Sequence, residues 1–485
     1  MTLQHPPLAS TALSAAASSR DEKAPTPPAV RGVIDLGLAR VHQLLCHAGH
    51  PERKINVVHV AGTNGKGSTC AFLVAGLREV HGKVGQFTSP HFVHPSDGWQ
   101  CNGVSPSLDE YQLARDRVLA AYQGVTTASE DAPTEFELDF VACLTWFVAQ
   151  GVDVAVIEVG VGGRLDATNV FRPGDLPCGC TERTSKLLAT VVTKIGIDHV
   201  GLLGSTVAEI ASHKAGIMKR GTPCFIGVQT EPDATAVLVD EARRVGCADQ
   251  TLLVHDARVA TTESRADLIV RTSPIDGQAA TILSVPLPAK PAVDHVVTGY
   301  QVENAALAAT VLRHLHPSLL LTSLGAALES MRWPARLDRT LSLPFDAAHP
   351  TPILLDGAHN LDGARALRAY LDVHFPSRLT WVLGMTAGKD VSGVLRTLVH
   401  DGDSVVCVGF NTPRGMPWIR CTGPHELADA VRAVVPGATV RGTADRVWRV
   451  TSENLGPLDV PVVVAGSLYL AADVYRWSRG QHGDM

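Results

Sequence analysis

The segment VHVAGTNGKGST (58–69) sets three glycines around a lysine, directly after an apolar run and ahead of a helical stretch. Gly62, Gly65 and Gly67 let the backbone turn tightly, so that its N–H groups can face phosphate oxygens. The helix that follows adds the positive end of its dipole. Lys66 supplies a point charge for terminal phosphates, so residues Gly62, Thr63, Asn64, Gly65, Lys66, Gly67 and Ser68 read as a phosphate-binding loop. The strict P-loop spacing is not met, because Gly67 stands between Lys66 and Ser68 and no glycine lies six residues before the lysine. The plain alternative is a glycine-rich turn with a solvated lysine.

A nucleotide triphosphate brings magnesium, which takes oxygen ligands. Three further segments follow strand-like runs. TSPH (88–91) offers Ser89, IEVGVGGRLDATN (157–169) offers Glu158, and KIGIDHVGLLG (194–204) offers Asp198 and His199. A carboxylate at the end of a buried strand is costly unless paired or bound to metal. The competing readings are structural: Ser89 as a turn residue, Glu158 paired with Arg164, His199 as a core histidine. Lys214, in AEIASHKAGIMK (208–219), taken alone reads as a surface lysine on a helix.

These residues need a scaffold. Runs at 55–62, 152–160, 187–195 and 222–228 are short, Val- and Ile-rich and nearly continuous in apolar character, as strands covered on both faces of a parallel sheet are. Helical intervals at 68–81 and 136–150 separate them as βα units. A second series follows WPARL (333–337): PILLDGAHN, a helix from about 362, LTWVLGM, VVCVGF and PVVVAGSLYL. With 485 residues, two domains are expected. The predicted fold is α/β, with a larger N-terminal P-loop-type nucleotide-binding domain (31–332), a linker (333–340) and a smaller C-terminal Rossmann-like α/β domain (341–485). Residues 1–30 are rich in Pro, Ala, Ser and Thr and read as a disordered tail. A mitochondrial presequence has little support, since Asp21 and Glu22 directly follow Arg20.

The net charge of −6, without a basic block, argues against a nucleic-acid binder. No run approaches the roughly 20 apolar residues of a membrane span. Ten cysteines without CxxC spacing indicate a reducing, cytoplasmic compartment, and Cys178 and Cys180 lack companion ligands.

The motifs GTNGKGS (62–68), TSPH (88–91), EVGVGGRLDATN (158–169), DHVGLLGSTVAEIA (198–211), KAGI (214–217) and DGAHN (356–360) resemble the Mur-ligase superfamily, within it the folylpolyglutamate synthase and dihydrofolate synthase branch. The similarity runs from about Leu36 to the C-terminus. TEFEL (134–138), FVHPSDGWQCNG (92–103) in place of an arginine-rich segment, RGMPWI (414–419) and AGSLYL (465–470) are similar to the fungal dihydrofolate synthetase type. The resemblance implies ATP-dependent activation of the dihydropteroate carboxylate as an acyl phosphate, then attack by the amine of L-glutamate. It implies two magnesium ions held through Ser89, Glu158 and His199, and a carbamylated Lys214. It assigns ATP contacts to Asn304, Arg336, Asp356 and His359, and pterin contacts to Thr134, Phe136, Asp166 and Ala167, in a monomeric enzyme. Taken plainly, Asp356 is a helix cap and Arg336 a partner of Asp338. His213 stands where relatives usually carry glutamate, Ala335 where they carry glycine, and 171–186 is longer than usual. The alternatives are a folylpolyglutamate synthase or bifunctional enzyme, a muramyl-type peptide ligase, and a catalytically silent nucleotide-binding protein.

Overall fold

The structure is a computed structural model that describes residues 35–123, 132–171, 186–262, 266–277, 279–289, 296–345, 351–456 and 460–481. The expected tail, Cys178 and Cys180, and nearly all of the 171–186 insertion lie outside the described residues.

Two sheets organise these residues. The strands of the first are β1 (Asn56–Ala61), β2 (Val84–Phe87), β3 (Trp99–Cys101), β4 (Val154–Glu158), β5 (Leu187–Val192), β6 (Cys224–Ile226), β7 (Thr251–Thr261), β8 (Ala266–Pro274) and β9 (Thr281–Leu287). Their order is β3-β2-β4-β1-β5-β6-β7-β8-β9. From β2 to β7 the neighbours pair in parallel, as the apolar runs require. Both faces of this centre are covered. Helices Lys66–Leu77 and Gln301–Leu315 pack on one core, and Glu135–Gln150 and Leu108–Gln123 on another.

The edges depart from the expected βα series. β3 runs antiparallel to β2, and β7, β8 and β9 form an antiparallel meander. In β8 buried residues alternate with less buried ones over Ala266–Val270, because only one face of the meander meets the core. That period-two signal belongs to a half-covered sheet.

The second sheet contains β10 (Ser342–Leu343), β11 (Thr351–Leu355), β12 (Thr380–Leu383), β13 (Ser404–Val408), β14 (Thr439–Ala444) and β15 (Val462–Ala465), in the order β10-β11-β15-β12-β13-β14. All pairings except β10–β11 are parallel. No strand is shared between the sheets.

Register decides where the chemistry gathers. Val60 pairs with Glu158, Ala61 with Val192 and Phe87 with Ile157. The strands therefore end at one level, and the segments after them open on the carboxyl edge, where open α/β sheets collect ligands. The second domain sits over that edge. Asn360 Nδ2 donates to Asn64 Oδ1 at 3.1 Å, and Lys389 Nζ donates to Asp198 Oδ1 at 2.5 Å. Arg476 donates to the Val93 carbonyl at 2.7 Å, beside a Phe92–Tyr475 edge contact.

Candidate active site

The glycine-rich loop expected to bind phosphate joins β1 to the helix Lys66–Leu77. Gly65 has φ +88°, and a Cβ there would collide with Asn304 Oδ1, so this turn excludes side chains on two counts. Thr63 N–H donates to Lys194 O at 2.9 Å and Thr193 Oγ1 donates to Asn64 O at 2.8 Å, stitching the loop to the segment after β5. Lys66, the first helical residue, reaches back over β4: its Nζ lies 3.7 Å from Glu158 Oε1. The solvated-lysine alternative therefore fails. Asn304, on Gln301–Leu315, faces the loop and is oriented by Gln301, to which its Nδ2 donates at 2.9 Å.

Glu158 ends β4 almost fully buried, and burial raises its pKa to about 6 against the pull of Lys66 and the Ser89 backbone N–H. Arg164 does not pair with it and bonds Glu241 at 3.0 Å instead. Two buried hydroxyls, Ser68 Oγ and Ser89 Oγ, have no hydrogen-bond partner. A neutralising carboxylate with two unclaimed hydroxyl oxygens at the end of a phosphate loop is a donor set that suits magnesium. Among the described residues no three His, Cys, Asp or Glu side chains converge on one point, so any cation here would rely on hydroxyls and phosphate oxygens as well.

His199 is not a core histidine. It adopts φ +53° ahead of a four-residue helix, with its side chain 39 % exposed. Partial burial of the ring, against the pull of Asp198 and with help from Lys389 and Lys66, lowers its pKa to about 4, which favours the neutral imidazole. Asp198 beside it stays ionised well below the usual range, because His199 and Lys389 outweigh its burial.

Lys214 corrects the surface reading: it is 4 % exposed, on the helix Val207–Ala215. Its Nζ donates to Gly62 O at 2.7 Å, and burial with Lys66 nearby lowers its pKa to about 7. The variant His213 contributes its carbonyl, which accepts from Arg164 N–H at 2.8 Å.

From the linker and second domain come Arg336, Asp356 and His359. Arg336 does not pair with Asp338, which bonds Tyr475 and Thr340; its guanidinium donates to Ala335 O and its charge acts on Glu158. Asp356 is not the cap of Leu361–His374, whose cap is Asn360, accepting from Gly363 N–H at 2.8 Å. Instead Asp356 is buried, accepting from Tyr300 Oη at 2.6 Å, Leu337 N–H and Ala358 N–H. It holds the linker to the second sheet more evidently than it faces a ligand. His359 Nδ1–H donates to Gly357 O at 2.8 Å, leaving Nε2 as an acceptor on a ring that burial keeps neutral. Ala335 and Leu337, flanking Arg336, have φ +56° and +51°, which explains why glycine suits the first of them.

Beside this edge lies a cavity of about 750 Å³. Thr134, Phe136, Asp166 and Ala167 all line it, and so do Ser89 and His199. Thr134 caps Glu135–Gln150 through a capping box with Glu137 (3.2 and 2.7 Å). Asp166 accepts from Val161 N–H at 2.8 Å and from Thr168 N–H and Oγ1 at 3.0 and 2.5 Å.

Sequence reasoning missed part of the wall. Arg115 bridges Asp139 and Glu135, and Tyr111 Oη donates to Asp139 at 2.8 Å. Burial raises Asp139 to about 6 against Arg115. The only local signal is the i, i+4 spacing of Glu135 and Asp139 on one helix face. Arg414, Met416, Trp418 and Tyr469 close the cavity from the second domain. Lys389 carried no signal at all.

Comparison with known proteins agrees with this geometry. A family model described as dihydrofolate synthetase, C-terminal domain, matches residues 340–477. The chain is 32 % identical over 453 residues to a probable dihydrofolate synthetase of Schizosaccharomyces pombe, covering 92 % of this chain and 98 % of that one. It is 31 % identical to a dihydrofolate synthase/folylpolyglutamate synthase of Bacillus subtilis, covering 91 % and 94 %. Among solved structures it is similar to Mycobacterium tuberculosis folylpolyglutamate synthase complexed with ADP and AMPPCP (TM-score 0.71, 27 % identity, 92 % and 96 % covered). It is also similar to E. coli FolC in complex with DHPP and ADP (TM-score 0.70, 25 % identity, 93 % and 95 % covered). With full-length kinship of this kind, and a glycine-rich strand-to-helix loop where these motifs require one, the chain belongs to the dihydrofolate synthase/folylpolyglutamate synthase family.

Proposed function

We propose that this protein is an ATP-dependent ligase that joins dihydropteroate to L-glutamate, giving dihydrofolate, ADP and phosphate. The observation that carries this reading is a shared boundary: Ser89 and His199 line the cavity, and the Ser89 backbone N–H bonds Glu158, the neighbour of Lys66. A pterin held against Phe136, with Thr134, Asp166 and Ala167 around it, would direct its benzoate carboxylate at the terminal phosphate of ATP. The carboxylate oxygen attacks the γ-phosphorus, ADP leaves, and an acyl phosphate forms. The glutamate amine then attacks the acyl carbon, phosphate leaves and the amine proton goes to a base. Positioning and charge neutralisation carry such a transfer.

In this reading Lys66 and the loop amides of Gly62 to Ser68 hold the phosphates, with Asn304 beside the loop and with Arg336 and the linker-bracing Asp356 brought to ATP from the linker and second domain. Magnesium, two ions in all, would be held through Ser89, Glu158 and His199 and would neutralise charge on the phosphoryl oxygens. The pKa of Lys214, lowered to about 7, leaves free amine for carbamylation at neutral pH. His359, neutral with Nε2 unclaimed, is suited to act as a base beside the incoming amine. The domains are read as 31–332 for ATP and pterin and 341–485 for glutamate ligation, joined by 333–340, in a monomeric cytoplasmic enzyme. No helix among the described residues is long and apolar enough to cross a membrane.

The test is phosphate release with ATP, magnesium and L-glutamate, comparing dihydropteroate with tetrahydrofolate as acceptor. Release with dihydropteroate alone supports the synthase. Release with tetrahydrofolate, alone or in addition, moves the assignment to the polyglutamate or bifunctional reading that the Bacillus relative's name carries. Silence with both defeats ligation.

A further inference from the structure

His59 lies within β1, fully buried, and has no role in the reaction outlined above. A buried histidine in a strand between apolar neighbours needs a partner for each ring nitrogen, yet Nδ1 has none. Its Nε2 lies 2.9 Å from Thr168 Oγ1, itself fully buried. Thr168 Oγ1 in turn lies 2.5 Å from Asp166 Oδ1, and Asp166 lines the cavity. The ring is set by an edge-on contact with Phe171 (5.9 Å, 76°).

We infer that His59 is a positioning residue for pterin recognition, acting through the relay His59 Nε2–H to Thr168 Oγ1–H to Asp166 Oδ1. The inference rests on the pterin reading of the cavity. Its direction follows from donor and acceptor capacity. Burial raises the pKa of Asp166, opposed by the bonds it accepts: Oδ2 accepts from Val161 N–H and Oδ1 from Thr168 N–H, the pattern of an ionised carboxylate. The Thr168 hydroxyl therefore donates to Asp166 and has only a lone pair left for His59, whose proton must be on Nε2. The imidazole is neutral, since burial, with Lys219 nearby, lowers its pKa to about 3. A polar chain passing out of the sheet centre fixes the rotamer of the carboxylate, so the pterin meets an aligned acceptor.

The relay also explains the otherwise costly orphan at Nδ1. An isosteric apolar side chain at 59 would remove that orphan and free the Thr168 hydroxyl to rotate. Fixing Asp166 is the compensating gain.

Two substitution pairs test this. Asparagine places its amide nitrogen where Nδ1 stands, short of Thr168, whereas glutamine reaches the position of Nε2. Thr168→Val keeps the volume and deletes the hydroxyl, whereas Thr168→Ser keeps it. His59→Asn and Thr168→Val are each expected to raise KM for dihydropteroate about tenfold while KM for ATP stays within about twofold, the loss of one aligned hydrogen bond. His59→Gln and Thr168→Ser are expected within about threefold of the unmodified enzyme. If asparagine serves as well as glutamine, or if both KM values rise together, the relay is wrong. Independently of turnover, imidazole ¹⁵N shifts of the full chain, with the His59 signal identified by its loss in His59→Gln, should show a proton on Nε2 and a bare Nδ1. A proton on Nδ1 overturns the relay. An unmodified enzyme inactive with dihydropteroate would defeat the pterin reading instead, leaving the ¹⁵N result to decide the relay.

Discussion

The glycine-rich loop after β1 and the cavity lined by Phe136 meet through Ser89, Glu158 and Lys66 but are built in opposite ways. The loop is seven consecutive residues whose conformation is dictated by local chemistry: glycines at Gly62 and Gly65 with φ +150° and +88°, and a helix that starts at Lys66. The cavity is assembled from segments between Asp35 and Tyr469, two of them from the second domain. The loop presents backbone donors, so its function survives most side-chain drift. The cavity presents side chains, so its selectivity is set wherever Phe136, Asp166, Asp139 or Trp418 changes. A family can therefore keep one phosphate chemistry while it varies the acceptor.

The comparison can be broken first at Lys66. Lys66→Ala should cut turnover roughly 10²–10³-fold, the scale of removing one electrostatic stabiliser, while pterin binding and the melting temperature stay near those of the unmodified protein. Normal turnover would remove the loop from the chemistry. Lowering pH should act next. Activity is expected to fall about tenfold per unit below about pH 7, as the Lys214 amine, its folded pKa lowered to about 7, takes up a proton. The stability sign is fixed too: the unfolded amine binds its proton up to its ordinary value of about 10.5, so stability rises with pH between about 7 and 10.5. Lys214→Met should therefore gain more melting temperature at pH 6 than at pH 10. A pH-independent difference would show that the amine is not buried as a destabilised cation.

Glu158→Gln should raise the magnesium concentration for half-maximal rate at least about tenfold. An unchanged titration would exclude Glu158 from the cation's surroundings. Phe136→Ala sharpens the contrast from the other side. KM for dihydropteroate should rise about tenfold, one stacking face lost, with KM for ATP unchanged. Equal shifts in both constants would mean that loop and cavity are not separable. The smallest effect lies at the linker. Ala335→Gly relieves a left-handed residue and should stabilise the fold by about 1 kcal/mol by denaturant midpoint, activity unaltered. No gain would show that the strain is matched by glycine's greater unfolded-state entropy.

The parallel centre of the first sheet was legible because strands buried on both faces are nearly continuously apolar, as VVHVA (57–61) and VAVIE (154–158) are apart from His59 and Glu158. The glycine-rich turn was legible for the same kind of reason, since its glycines act on backbone within a few residues, whereas the cap of Leu361–His374 was not: the sequence offers Asp356, and the structure gives that place to Asn360. The meander β7–β9 was not, because its alternation appears only once one face is known to be covered.

For the site, the sequence by itself singled out residues 62–68 as a tight glycine-rich turn ahead of a helix, a turn that the structure forms. It supplied Thr134, Phe136, Asp166 and Ala167 only through resemblance, and left Lys214 as a surface residue. Tertiary structure alone decided that Lys214 is buried against Gly62, that Arg164 turns to Glu241 and leaves Glu158 to Lys66, and that Asp356 braces the linker through Tyr300. It also decided that Arg115, Asp139 and Lys389 belong at the site. The physical reason is range. Backbone turns and caps are set by neighbours a few residues away, whereas the partner that claims a charge or buries it lies 56 residues off for Asp356 and Tyr300, 152 for Lys214 and Gly62, and 191 for Lys389 and Asp198.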